Sequence, residues 1–338
     1  VGSAGTFREP ANRAVWLDRF KLDAVVLDGY GSKKSPLFSG CQPEISMSPD
    51  RHGSGATRIE ADLSSTEERK LMRRASTCLA VLALAAAALA LPSFAAAAPT
   101  VTLKAIAVPI PKPGGGTYPG TGNIYGAGAA VEAEYHITGT EYGGFPPPLI
   151  GVNFYLPSGT KLHTSGFATC PTSTLERTGP SACPAKSKAG PIGEVLGIVA
   201  FGKERVEEPA ELFSFFSPGG GLEFFTFGHS PTLLEILSAG KYESLNGAGG
   251  FGPKLKTQVP LVATVPGAPY ASVKFIKVKV GAAFKQGKKL ISYGTVPKKG
   301  QCPKGGFKIK SEMIFAENGN PATPVIVPES YRAPCPRK

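Results

Sequence analysis

Residues 99–338 predict an all-β fold, a β-sandwich of many short antiparallel strands with the option of two sub-sheets. Three observations carry this: apolar residues recur with period two, Gly- and Pro-rich turns interrupt them at short intervals, and helical periodicity is almost absent. The first strand is Val101 to Val108. Ala129 to Ile137 alternates cleanly, and Gly151 to Leu156 is a buried-type run stopped by the Pro157-Ser158-Gly159 turn. Ile192 to Phe201, Leu212 to Phe216 and Leu222 to Phe227 follow, the last two joined through Pro218-Gly219-Gly220-Gly221. Further strands are expected at 258–265, 272–280, 289–293, 307–315 and 324–327. Only residues 231–242 look helical, with Leu233, Leu234 and Leu237 on one side. In the strand 272–280, Lys274 is out of phase with Lys277 and Lys279. If all three face solvent, one residue is inserted near Phe275-Ile276, which is a β-bulge. The glycines at 247–252 mark the best boundary between two sub-sheets, and the Gly- and Pro-dense stretch 111–122 reads as a loop.

The segment before this domain reads as an export signal. Met72-Arg73-Arg74 supplies a basic start, Leu79 to Leu91 an Ala/Leu/Val run, and Ala95 to Ala98 the small residues of a cleavage site, so the mature chain is expected to begin near Ala98. Residues 1–71 hold every Asp of the chain and its single Trp16, whereas no Asp occurs from Pro99 onward. That shift points to upstream sequence translated from an early start, with Val1 read from a GTG codon. The rival reading is a disordered cytoplasmic tail with 79–91 as an anchor, a run shorter than the roughly 20 apolar residues a spanning helix needs.

Four of the six cysteines lie in the exported part, and an even number outside the cytoplasm implies disulfides. The sequential pairing, Cys170–Cys183 with Cys302–Cys335, is favoured among the three possible ones. On the loop-entropy model such closures stabilise by roughly 3 and 4 kcal/mol. No C-x-x-C pair occurs, and His136, His163 and His229 are the only histidines there, so zinc is not expected.

No cofactor is implied either. Gly247-Ala-Gly249-Gly250-Phe-Gly252 matches a dinucleotide fingerprint by letter, but a proline and a strand follow it where a helix would be needed. The absence of Asp removes Asp-based calcium loops and Ser-His-Asp triads. The weak catalytic candidates are Glu211 and Glu223, on neighbouring strands and able to face one another as a glycosidase pair, with His229 nearby. The simpler reading makes both solvent-facing strand residues, and Glu204 to Glu208 a solvated loop.

Charge is uneven. Residues 99–252 carry a net −3 and residues 253–338 a net +13, the excess being almost all lysine. Lys274, Lys277, Lys279, Lys285, Lys288, Lys289, Lys308 and Lys310 form the expected basic face, which would attract anionic cell-wall polymer, acidic polysaccharide or lipid head groups. Lysine without arginine argues against specific nucleic-acid recognition. The competing role for these lysines is to guard strand edges and keep the protein soluble.

The Leu156-Pro157-Ser158-Gly159 turn, the Cys170 to Cys183 loop, Cys302-Pro303-Lys304-Gly305-Gly306-Phe307 and the Pro-Cys tail resemble uncharacterised secreted proteins of high-GC Gram-positive bacteria. The resemblance implies an exported β-rich domain with no assigned catalytic residues. The sequence therefore leads to an exported, non-enzymatic, structural or adhesive protein, with a secreted carbohydrate-active hydrolase as the alternative.

Overall fold

The computed structural model describes residues 98–336, so the readings of residues 1–71 and of the signal sequence up to residue 97 lie outside the described residues. The described residues form fifteen strands: β1 (Thr100–Val108), β2 (Gly128–Thr138), β3 (Leu149–Pro157), β4 (Lys161–Leu162), β5 (Gly193–Phe201), β6 (Glu204–Phe216), β7 (Leu222–Gly228), β8 (Leu234–Ser244), β9 (Phe251–Gln258), β10 (Ser272–Val280), β11 (Ala283–Gln286), β12 (Lys289–Ser292), β13 (Gly294–Thr295), β14 (Phe307–Ala316) and β15 (Pro324–Ala333). Among the described residues one α-helix, α1 (Thr172–Thr178), accompanies them.

The all-β class holds, with one large antiparallel sheet and the small β11–β12 hairpin. The eleven long strands of the large sheet run in the order β15-β14-β3-β9-β8-β7-β6-β5-β10-β2-β1. Strand twist accumulates across so many strands and rolls the sheet until β1 lies against β15. The buried Tyr135 hydroxyl of β2 hydrogen-bonds Ser311 Oγ of β14 at 3.2 Å, although seven strands separate them in the sheet order. That contact crosses the interior. The facing layers expected of a sandwich are thus opposite walls of one rolled sheet, a barrel whose β1–β15 seam has no strand ladder among the described residues.

Alternation decides which wall face each residue occupies. Val101, Leu103 and Ala105 of β1, Tyr135 and Ile137 of β2, and Phe307, Ile309, Met313 and Phe315 of β14 point inward and are buried. The inserted residue expected in the 272–280 strand is present: β10 pairs with β5 through a register shift between Val273 and Phe275. The shift lets Val273 and Ile276 both face inward while all three lysines face outward.

Four local expectations are corrected. Residues 234–244 form β8, not a helix: Leu234, Ile236 and Tyr242 face inward, while Leu237 packs outward under a cover, and apolar residues on both faces imitate helical spacing. Glycines 247–250 form the β8–β9 hairpin turn, so no sub-sheet boundary lies there, and the following strand is 251–258, ahead of the expected 258–265. Glu204 to Glu208 belong to β6. Helix α1 went unforeseen, since Thr-Ser-Thr is a weak helical start; Leu175, 1 % exposed, secures it by packing with Phe215 and Phe225 on the outer wall.

The disulfides are Cys170–Cys183 and Cys302–Cys335, as the sequential pairing has it. The first staples the 163–192 excursion over the outer faces of β6, β7 and β8, where Phe213, Phe215, Phe225, Phe227 and Leu237 make a satellite core.

Candidate ligand-binding cavity

Eight strands already make a barrel whose side chains can just fill its interior. Eleven leave more space, and the inward residues of this barrel do not close it. Ala129 and Ala133 on β2, Gly197 on β5 and Ala210 on β6 are small, and a cavity of about 260 Å³ remains between them and Phe154, Phe224 and Leu255. Its lining is overwhelmingly apolar, with contributions from β2, β3, β5 to β10 and β14, and it contains no Lys, Arg or His. By the relation found for buried voids, such a space would cost on the order of 6 kcal/mol if nothing filled it. An engineered apolar cavity of about 150 Å³ is enough to take up benzene.

The hydroxyls of Thr226, Ser238 and Thr257 line its middle, and further polar anchors lie at its two ends. At one end Glu208, fully buried, accepts hydrogen bonds from the backbone amides of Ser230 (2.8 Å) and Thr232 (3.1 Å). Gly228 is required beside it, because a Cβ there would lie 2.7 Å from Glu208 Oε1. This carboxylate is committed to holding the β7–β8 turn.

The other end is closed by an aromatic plug. Phe167 packs on Phe216 at 4.6 Å between ring centroids and meets Phe284 and Tyr293 edge-on. Tyr293 follows β12 directly, tied down by its own amide to Ala282 O and by the amide of His163 to its carbonyl. Tyr242 of β8 stands 6.3 Å from it, centroid to centroid, and both rings line the cavity. Burial pushes the Tyr293 hydroxyl up to about 12, with the Tyr242 hydroxyl working against that. Burial, followed by the charge and hydrogen-bonding influence of Tyr293, raises Tyr242 as well. The Tyr293 hydroxyl is buried, and apart from the Tyr242 hydroxyl beside it no hydrogen-bond partner reaches it among the described residues.

The glutamates singled out in the sequence are not brought together. Glu211 lies opposite Phe227 and Glu223 opposite Phe215, four positions apart in register on the outer wall. That is about 13 Å of strand, beyond the roughly 5–9.5 Å a glycosidase pair spans. The Phe213–Phe225 pair stands between them. Glu223 is buried beneath the excursion, where the hydroxyls of Thr172 (3.0 Å) and Ser217 (2.9 Å) donate to one of its oxygens. His229 is exposed and stacks on Phe227. The two weak candidates are separate outer-wall residues; the solvent-facing reading fits Glu211 and is corrected for Glu223, which the excursion covers. Among the described residues, no group of three His, Cys, Asp or Glu side chains is placed to hold a metal ion.

The expected basic face divides into three. On β10, Lys274 reaches across β5 to Glu207 of β6 (2.7 Å), while Lys277 and Lys279 pair with Glu134 (3.8 Å) and Glu132 (2.9 Å) of the adjacent β2. Lys277 contributes to holding the Glu134 carboxyl below its ordinary range, behind the larger effect of the His136 hydrogen bond. Lys285, Lys288 and Lys289 are exposed on the β11–β12 hairpin, and none has a carboxylate within ion-pair distance among the described residues.

Lys308 and Lys310 belong to a denser patch that the sequence did not outline. The register places Lys241, Lys254, Lys256, Lys308, Lys310 and Arg332 on the outer faces of β8, β9, β14 and β15. Lys254 and Lys310 both lie over the Tyr155 ring on β3, at 5.4 and 5.1 Å, and Lys308 lies over Phe251. Glu312 sits among them, accepting from Tyr155 (2.6 Å), Lys310 (2.7 Å) and Asn153 (3.1 Å). Burial works to raise its carboxyl, but these three donors outweigh it and hold the group below the usual range.

The outer wall therefore carries the charges and the interior is apolar, the reverse of a membrane-spanning β-barrel. Among the described residues no helix is long and apolar enough to cross a membrane. No family model, curated protein or solved structure matches the chain.

Proposed function

We propose that this is an exported, non-enzymatic binding protein that encloses a small apolar molecule in its barrel. The observation that carries the reading is the apolar cavity of about 260 Å³ ringed by Ala129, Ala133, Gly197 and Ala210. Two disulfides fit an extracellular setting, with export through the signal sequence ending near Ala98. The test is uptake of N-phenylnaphthylamine, whose fluorescence rises in apolar surroundings. The full chain takes up the dye, and Ala133→Phe, which fills the cavity from the β2 wall, reduces affinity at least ten-fold while leaving the unfolding temperature equal or higher. Dye uptake unaffected by Ala133→Phe would reject the cavity as the site.

A second reading, contact with anionic envelope polymers, is supported by the Lys241/Lys254/Lys256/Lys308/Lys310/Arg332 patch with its interleaved Tyr155 and Phe251. Retention on isolated cell envelope falls several-fold on Lys256→Glu combined with Lys308→Glu, and also with added salt. Lys274→Gln with Lys277→Gln and Lys279→Gln leaves retention close to wild type, because those lysines already face glutamates. Equal loss in both sets would return the contact to the whole lysine-rich half.

A further inference from the structure

We infer that the cavity selects an apolar molecule bearing one neutral hydrogen-bond-accepting oxygen, a ketone, ester or ether, which the Tyr293 hydroxyl, with Tyr242 beside it, holds at the plugged end. The inference rests on the binding reading above and specifies its ligand. A buried polar hydrogen without a partner is uncommon in folded proteins, because it forfeits its bond to water. Tyr293 is 3 % exposed, its hydroxyl has no partner but the Tyr242 hydroxyl, and it lines the cavity wall. Two hydroxyls that face each other use one of their two hydrogens between them, which leaves one donor for an acceptor in the cavity that both side chains line.

The rest of the lining says what kind of acceptor. No cationic side chain lines the cavity, and its single carboxylate, Glu208, belongs to the opposite end and is already occupied by two backbone amides. A carboxylate ligand would bury its charge with no counter-charge, at a cost larger than two phenol hydrogen bonds return. The raised ionisation of both tyrosines reports the same hostility to negative charge at this end. A hydrocarbon would bind by burial alone and leave the spare hydrogen of the tyrosine pair unused. A neutral acceptor oxygen gains the hydrogen bond and meets no uncompensated charge.

The test measures displacement of N-phenylnaphthylamine from the full chain by decane, methyl octyl ketone and decanoate, in wild type, Tyr293→Phe and Tyr242→Phe. In wild type the ketone binds about five-fold more tightly than decane, the worth of one ordinary hydrogen bond, and decanoate binds most weakly. Tyr293→Phe brings the ketone down to decane and leaves decane unchanged. Tyr242→Phe, whose ring is only half-buried, reduces the preference less. Tyr293→Phe deletes one hydroxyl and keeps the ring packing of the plug, so it folds as wild type does, and thermal melting verifies that. Equal affinity for ketone and decane in wild type, a preference that survives Tyr293→Phe, or tightest binding of decanoate overturns this inference while leaving the cavity reading in place. Failure of the dye and of all three ligands to bind wild type overturns the cavity reading itself.

Discussion

Glu208→Ala lowers the midpoint of thermal unfolding by about 6–12 °C, through a loss of roughly 3 kcal/mol. The side chain is fully buried at one end of the barrel, and each carboxylate oxygen accepts one backbone amide, from Ser230 and Thr232. Truncation takes the acceptor from both part-buried amides and opens a small void beside Gly228. Glu208→Gln falls between, since the amide nitrogen now faces one of the two N–H groups. The adjacent Glu207→Ala is the control. It removes only a half-exposed pair with Lys274, and such pairs contribute at most about 1 kcal/mol. Equal effects of Glu207→Ala and Glu208→Ala in calorimetry would show that the buried carboxylate is not holding the β7–β8 turn.

That contrast also explains what could be read from the sequence. Glu207 and Glu208 are chemically identical neighbours in a run of charges, and nothing local says that one pairs with a surface lysine while the other is fully buried. The difference comes from β6 alternation together with a turn that begins some twenty residues later. The β10 bulge was legible for the opposite reason, since three lysines within six residues report their own phase. The disulfides were legible because each pairing closes a short loop. Residues 234–244 misled because the excursion covers the outer wall and permits Leu237 where alternation would otherwise place a polar residue.

The cavity was out of reach of periodicity, which assigns faces but not opposite numbers across a barrel. Its signal lay in small residues at inward positions: Ala129 and Ala133 on one strand, Gly197 and Ala210 on a neighbouring pair. Recognising them as one wall requires knowing that β10 sits between β2 and β5, a non-local pairing. The lysines failed in the same way. Lys277 and Lys279 read as free charge until β2 brings Glu134 and Glu132 opposite them. Tyr242 and Tyr293 each read as one more aromatic in a strand; only the aromatic plug at the barrel end shows that their hydroxyls are left with each other.

Removing the Cys170–Cys183 bridge by Cys170→Ala with Cys183→Ala destabilises the barrel more than removing Cys302–Cys335, although loop closure alone ranks them the other way. The enclosed separations are 13 and 33 residues, giving roughly 3 and 4 kcal/mol respectively. Burial reverses that order. Cys170 is 0 % and Cys183 9 % exposed, and they pack with Leu175 against Phe215 and Phe225. Each aromatic side chain freed from such a cover forfeits about 1.5–3 kcal/mol, so even partial loosening of the excursion exceeds the difference of about 1 kcal/mol between the two loops. Cys302 and Cys335, by contrast, are only half-buried. The first double variant therefore melts lower and exposes a new apolar surface on the outer wall, read as binding of anilinonaphthalene sulfonate. Carrying both pairs of substitutions in the Ala133→Phe background keeps the cavity from contributing to that signal. A lower melting point for the Cys302/Cys335 variant, with no new dye binding in the other, would make chain closure the dominant role of both bridges and reduce the 163–192 excursion to a surface ornament of the barrel.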